Sequence, residues 1–151
     1  MIKIRNFEPP DAEMVSAIIR ETMKVSNSRD YSLEILQPLI EYFSPEKVLQ
    51  LNQERLCFVA EFEGQIVGTA AIEDSELLTF FVCPDFQNRG IGARLLKAIE
   101  EAAQSQAISR IKVESILTGV SFYEKSGYRK TGLEKETTVG RQIYMEKDLS
   151  E

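Results

Sequence analysis

The chain has 151 residues, with 18 Lys and Arg against 24 Asp and Glu, a net charge of −6, and neither histidine nor tryptophan. The missing imidazole excludes Ser–His and Cys–His hydrolytic centres and every His-ligated metal site. Chemistry here must run on carboxylates, Tyr, Lys, Cys, backbone groups or a cofactor.

A pI near 4.9 supplies no basic face for general nucleic-acid binding. No apolar run approaches bilayer length, so no membrane partner is expected. Met1-Ile2-Lys3-Ile4-Arg5 alternates apolar and basic residues without the apolar region of a signal peptide, so the expected location is cytoplasmic. Cys57 and Cys83 have neither C-x-x-C spacing nor a histidine partner, and read as reduced thiols rather than a disulfide or metal site. A chain of this size should keep about 7,800 Å² of surface and bury roughly two-thirds of what it exposes unfolded. One core follows, and residues 1–151 are expected to form a single domain.

Ile2 to Phe7 reads as a strand, closed by Pro9-Pro10. Asp11 is placed to cap a helix with the apolar stripe Met14, Val15, Ile18, Ile19 and Met23, which ends at Asn27-Ser28-Arg29-Asp30. Leu33, Leu36, Leu39, Ile40 and Phe43 repeat at helical spacing, and Ser44-Pro45 restarts a helix around Val48, Leu49 and Leu51. From Leu56 the period changes to that of strands. Leu56–Phe62 and Ile66–Ile72 flank a Glu63-Gly64 turn, and Leu77–Val82 is apolar enough for burial on both faces. Ile91, Leu95, Leu96, Ile99, Ala102 and Ala103 mark a helix to about Ser105. Ile111–Glu114 is a strand, Val120–Ser126 a short helix ended by Gly127, and Tyr128–Leu133 with Arg141–Leu149 a final antiparallel pair. The pattern is α/β with a mixed sheet.

Gln87-Asn88-Arg89-Gly90-Ile91-Gly92-Ala93 lies between the buried strand and the long helix. Glycines there let backbone approach a ligand, and the free N–H groups and positive dipole end of the helix suit a pyrophosphate. Arg89 and Arg94 add local positive charge. A dinucleotide fingerprint would need Gly or Ala where Leu95 stands, and no Gly-Lys-Ser/Thr closes a Walker loop, so neither nucleotide fold fits.

Gln87-x-x-Gly90-x-Gly92, preceded by Leu78-Thr79-Phe80-Phe81-Val82-Cys83-Pro84, resembles the acyl-CoA-binding motif of the GNAT N-acetyltransferase superfamily. Val120-Ser121-Phe122-Tyr123-Glu124-Lys125-Ser126-Gly127-Tyr128 is similar to that family's second signature, and both stand in the family's order. The resemblance implies a mixed, mostly antiparallel sheet of about seven strands with helices on both faces.

It also implies roles for individual residues. Backbone groups of Phe81, Val82 and Cys83 would pair with the pantetheine arm of acetyl-CoA, with the Val82 N–H beside the thioester carbonyl. Amides of Arg89, Gly90, Ile91, Gly92, Ala93 and Arg94 would hold the pyrophosphate. Tyr123 occupies the general-acid position, and Glu76 is the candidate base, working through water from the acidic segment Glu73-Asp74-Ser75-Glu76. The family's asparagine near the cofactor arm is replaced by Glu114, or by Ser115 in a register one residue later. Cys83 lies close to the implied acyl group, but direct transfer is expected over an acyl-enzyme.

The implied activity is acetyl transfer from acetyl-CoA to a primary amine of a small molecule, peptide or protein. A weakly catalytic acyl-CoA sensor, or O-acyl or longer-acyl transfer, would use the same cofactor site. Acceptor recognition is expected from residues 11–53 and the hairpin before Ile143. Tyr31, Tyr42 and Phe43 are candidate lining residues there, with core packing and helix edge the favoured reading. Glu34, Glu41 and Glu46 lean toward a cationic amine, although scattered charges usually mark solvated helix faces. A homodimer follows from the resemblance alone.

Overall fold

The computed structural model describes residues 1–25, 28, 31–137 and 140–149; Asn27, Arg29 and Asp30 of the expected helix break lie outside them. Strand β1 (Ile2–Asn6) leads through a 3-10 turn at Pro9–Asp11 into helices α1 (Ala12–Val25), α2 (Leu33–Tyr42) and α3 (Pro45–Leu51). Strands β2 (Leu56–Phe62), β3 (Gln65–Glu73) and β4 (Glu76–Val82) follow, then α4 (Ile91–Ser105), β5 (Arg110–Ile116), α5 (Val120–Lys125), β6 (Arg129–Thr137) and β7 (Gly140–Asp148). They form one seven-stranded sheet in the order β1-β2-β3-β4-β5-β7-β6. Every neighbouring pair is antiparallel except β4–β5. The expected mixed, mostly antiparallel sheet is present.

Local sequence explains the elements. Glu63 and Gly64 both have positive φ, at 51° and 82°, the requirement of a two-residue hairpin turn matched to strand twist. Ser32 and Ser44 cap α2 and α3, each accepting a hydrogen bond from the amide three residues on. Asp11 departs from its expected role. Its carboxylate accepts the Glu8 N–H at 2.8 Å and two bonds from the Arg5 guanidinium at 2.9 and 3.1 Å, closing the 3-10 turn rather than capping α1. Arg5 also holds Glu61 at 2.7 Å, so this cluster ties β1 to β2.

The two sheet faces carry separate cores. Consecutive residues of a strand point to opposite faces, so Val59 joins α1–α3 while Ala60 joins α4. The sheet centre under α4 is built from small residues, Ala60, Gly68 and Ala70. A Cβ on Gly68 would stand 3.0 Å from the Leu95 side chain, so glycine there sets how closely α4 approaches. The α1–α3 layer packs on β2, β3 and β4, reaches Ile116 of β5, and touches β7 where the Tyr31 hydroxyl donates to the Arg141 carbonyl at 2.8 Å. Among the described residues, Lys112 and Glu114 of β5 stay exposed on this face. No helix among the described residues is long and apolar enough to cross a membrane.

Candidate acyl-transfer site

The parallel pairing of β4 with β5 has one register position, Glu76 opposite Lys112. Beyond it the strands separate. On its other side, β4 loses register with β3 between Thr69 and Ala71, where Thr79 takes φ +44°. A β-branched residue in the left-handed region is strained, and a bulge of this kind bends its strand. The strain stands at the point where β4 leaves β5.

The opening holds a cavity of about 590 Å³. Its walls are Phe80 to Val82 of β4, Val113 to Ile116 of β5, the start of α4, and Phe122 and Tyr123 of α5. Strand alternation decides which backbone groups face it. Val82 sits opposite Gly68, and the next pair is bonded through the Cys83 N–H to the Val67 carbonyl at 2.8 Å. In an antiparallel ladder the intervening residue points its N–H and C=O the other way, so Val82 faces the cleft. Its carbonyl accepts from the Gln87 side chain at 3.0 Å and from the Thr22 hydroxyl at 3.4 Å. Phe81 and the Cys83 N–H turn toward β3, while the Cys83 carbonyl accepts the Phe86 N–H of the following turn. Of the three strand residues expected to pair with a cofactor arm, Val82 is the one whose N–H is directed away from β3.

Gly90, at φ +80°, turns the chain into α4. The first bond of the helix runs from the Arg94 N–H to the Gly90 carbonyl at 3.2 Å, so Arg94 has no spare amide. The amides of Ile91, Gly92 and Ala93 precede it and have no intrahelical acceptor. The Arg94 guanidinium reaches the Ile2 carbonyl at 2.7 Å, away from the loop, and Arg89 stacks on Phe86 at 5.0 Å. Gly92 has a second role. A Cβ there would meet two Phe122 ring atoms at 3.3 Å, so glycine lets α4 close on α5.

Tyr123 is 6% exposed and ringed by Phe80, Phe122 and Tyr128 at 5.3 to 6.0 Å. Burial pushes its phenol above the ordinary value of 10.0, which keeps the proton on the oxygen. Among the described residues its hydroxyl has no hydrogen-bond partner. Tyr123 and Gly119 are one helical turn apart, and the Tyr123 ring lies 3.4 Å from where a Gly119 Cβ would stand.

A second cavity, of about 530 Å³, opens on the face that exposes Lys112 and Glu114 and shares Leu77, Leu78, Thr79, Val113 and Glu114 with the first. Glu76, Lys112, Thr131, Gln142, Tyr144 and Glu146 complete its polar wall. Glu76 therefore lines this cavity and not the one that holds Tyr123. Glu114 lines both. The β5 pattern buries Ile111, Val113 and Ser115 on the α4 face and exposes Lys112 and Glu114 on the other. Ser115 reaches the first cavity with its hydroxyl bonded to the Ile116 carbonyl at 2.8 Å.

Tyr31 and Phe43 are buried in the α1–α3 core, and Tyr42 stacks under Lys47. None of these aromatics lines either cavity, and neither do Glu34, Glu41 and Glu46. The acidic lining comes instead from β4, β5 and β7. Sequence reasoning passed over Gln87 as a ligand to Val82 and over Lys112, Tyr144 and Glu146 altogether. Alternation within Arg110–Ile116 could have placed Lys112 beside Glu114, but the pairing with β7 has no local signal. Among the described residues no cluster of His, Cys, Asp or Glu is arranged to hold a metal ion.

A splayed parallel strand pair, an amide-rich helix start and a buried tyrosine thus border one cavity. Residues 27–149 match the family model for the acetyltransferase (GNAT) domain, and the chain belongs to that family of N-acetyltransferases. It is 28% identical to the spermidine N(1)-acetyltransferase of Thermoplasma acidophilum, over 97% of this chain and 96% of that protein. The crystal structure of the PaiA N-acetyltransferase from Thermoplasma acidophilum, in complex with coenzyme A, superposes with a TM-score of 0.83 at 27% identity, covering 98% of this chain and 99% of that one. A GCN5-related N-acetyltransferase from Rhodopseudomonas palustris shares the fold with a TM-score of 0.90 at 22% identity, covering 97% and 94%.

Proposed function

We propose that the chain, acting as one catalytic domain, transfers the acetyl group of acetyl-CoA to a primary amine by direct attack within a ternary complex. The observation that carries this reading is the convergence of the Gly92 and Ala93 amides, the outward Val82 N–H and the unpartnered Tyr123 hydroxyl on one cavity. Pyrophosphate charge is met by the helix start. The pantetheine arm lies along Val82, whose N–H stabilises charge developing on the thioester oxygen. Tyr123 donates its phenolic proton to the departing sulfur, a role for which its raised pKa keeps it loaded.

The acceptor approaches from the second cavity, so the two substrates meet through the gap between β4 and β5. Glu76, Glu114 and Glu146 on that wall favour a cationic amine. With a relative named as a spermidine N(1)-acetyltransferase, spermidine is the first acceptor to test. Thiol release from acetyl-CoA with spermidine and other amines measures the activity. Tyr123→Phe is expected to lower kcat about 100-fold with little change in the KM for acetyl-CoA. An unchanged kcat removes Tyr123 from the chemistry, and failure to bind acetyl-CoA in a thermal-shift assay removes the reading as a whole.

A further inference from the structure

We infer that Glu114, rather than Glu76, is the residue that takes the proton from the attacking amine. The inference rests on the amine-transfer reading above. Its basis is position: of the carboxylates around the second cavity, Glu114 alone among the described residues also lines the cavity of Tyr123. Glu76 stands where β4 and β5 are still paired, at the closed end of the gap, opposite Lys112. Glu114 is two residues further along β5, where the strands have parted and an amine can pass between them. Its side chain projects from the open face, on the acceptor's side of the sheet, whereas Tyr123 approaches from the α4–α5 side. Base and acid thus flank the gap from opposite faces.

The groups facing Glu114 are Lys112 on its own strand, Glu76 from β4, Tyr144 and Glu146 from β7, and Tyr123 across the gap. Tyr144 is its direct cross-strand neighbour, and Glu146 is engaged by Arg129 at 2.9 Å. Lys112 and Glu76 are register partners. Glu114 has no ion pair among the described residues, so its carboxylate is available to a substrate ammonium.

The step balances as follows. Glu114 accepts one proton from the ammonium and passes it to water through the open cavity. The freed nitrogen pair forms the nitrogen–carbon bond as the carbon–sulfur bond breaks and its electron pair leaves on sulfur. The Tyr123 proton goes to that sulfur, and the second amine proton returns to the phenolate through water. A carboxylate at the throat is worth what a positioned base is worth, about 10²-fold or more in rate.

The test is the pH profile of thiol release from acetyl-CoA with spermidine. Glu114→Gln is expected to lower kcat/KM for spermidine about 100-fold at neutral pH, with the deficit closing as pH rises toward the amine's own pKa near 10. The KM for acetyl-CoA stays within about two-fold, and added formate partly restores Glu114→Ala, which a merely structural role would not allow. Glu76→Gln raises the KM for spermidine and leaves the shape of the profile unchanged. Wild-type turnover with an unaltered profile in Glu114→Gln, or loss of the acidic limb in Glu76→Gln instead, overturns the assignment while leaving the acetyltransferase reading intact. A wild-type protein that binds acetyl-CoA but acetylates no primary amine overturns both.

Discussion

The side-chain amide of Gln87 donates to the carbonyl of Val82 at 3.0 Å, across the turn that joins β4 to α4. The bond lies on the same edge of the strand as the Val82 N–H, so a loop residue steadies the backbone residue whose N–H we propose faces the thioester. The Thr22 hydroxyl supports the same carbonyl from α1 at 3.4 Å. Together they hold one backbone residue from two directions, where a misplacement of about 1 Å can cost a hundredfold in rate.

Replacing Gln87 by Ala leaves that carbonyl held by the longer Thr22 bond alone. We expect kcat/KM for acetyl-CoA to fall about tenfold while the melting temperature moves little, because Gln87 is only partly buried. Steady-state kinetics beside a thermal melt checks this. A melt shifted in proportion to the activity would reduce Gln87 to a structural role.

Lys147 clamps the end of α5. Its ammonium contacts Glu100 of α4 at 3.1 and 3.3 Å and the Ser126 carbonyl at 3.0 Å, while Glu100 also accepts from the Tyr128 hydroxyl at 2.9 Å. Tyr128 packs edge-on against Tyr123 at 5.6 Å. Lys147→Met leaves the Glu100 carboxylate short of a partner and should cost about 1–3 kcal/mol in urea unfolding. The same variant should reduce kcat more than it raises the KM for acetyl-CoA, because the phenol is loosened and the Val82 edge is not.

Asp11 makes stability depend on pH in a defined direction. The Arg5 guanidinium holds its carboxyl below the ordinary value of 3.8, and the Glu8 amide adds to this. A depressed folded pKa means that the stabilisation is fully present above 3.8 and is lost as pH falls through the lower folded value. Asp11→Asn should therefore be less stable than wild type at pH 7, by about 1–3 kcal/mol, and should lose less on acidification. Urea unfolding at neutral and acid pH measures both slopes.

The parts of this protein readable along the chain are those whose physics is local. Helix stripes such as Leu95, Leu96 and Ile99, the positive-φ turn at Glu63-Gly64 and the glycine-started α4 each follow from a few neighbouring residues. So does the pair of motifs that places Tyr123 and the Gly90–Ala93 amides. Boundaries shifted where tertiary pairing extended an element: β6 runs to Thr137 rather than Leu133 because it pairs along β7 as far as Gly140.

The sequence by itself determined which groups exist for the chemistry: no imidazole, an amide-rich helix start, a phenol and many carboxylates. Only the tertiary structure decided which of them are free to act. The Cys83 amide is consumed by Val67 and the Arg94 guanidinium by Ile2, partners that no local pattern names. The order β4-β5-β7 brings Glu114 to the gap while leaving Glu76 at its closed end. Hydrogen-bond satisfaction and strand order are properties of the whole sheet, so a residue's availability is settled by chain segments far from it.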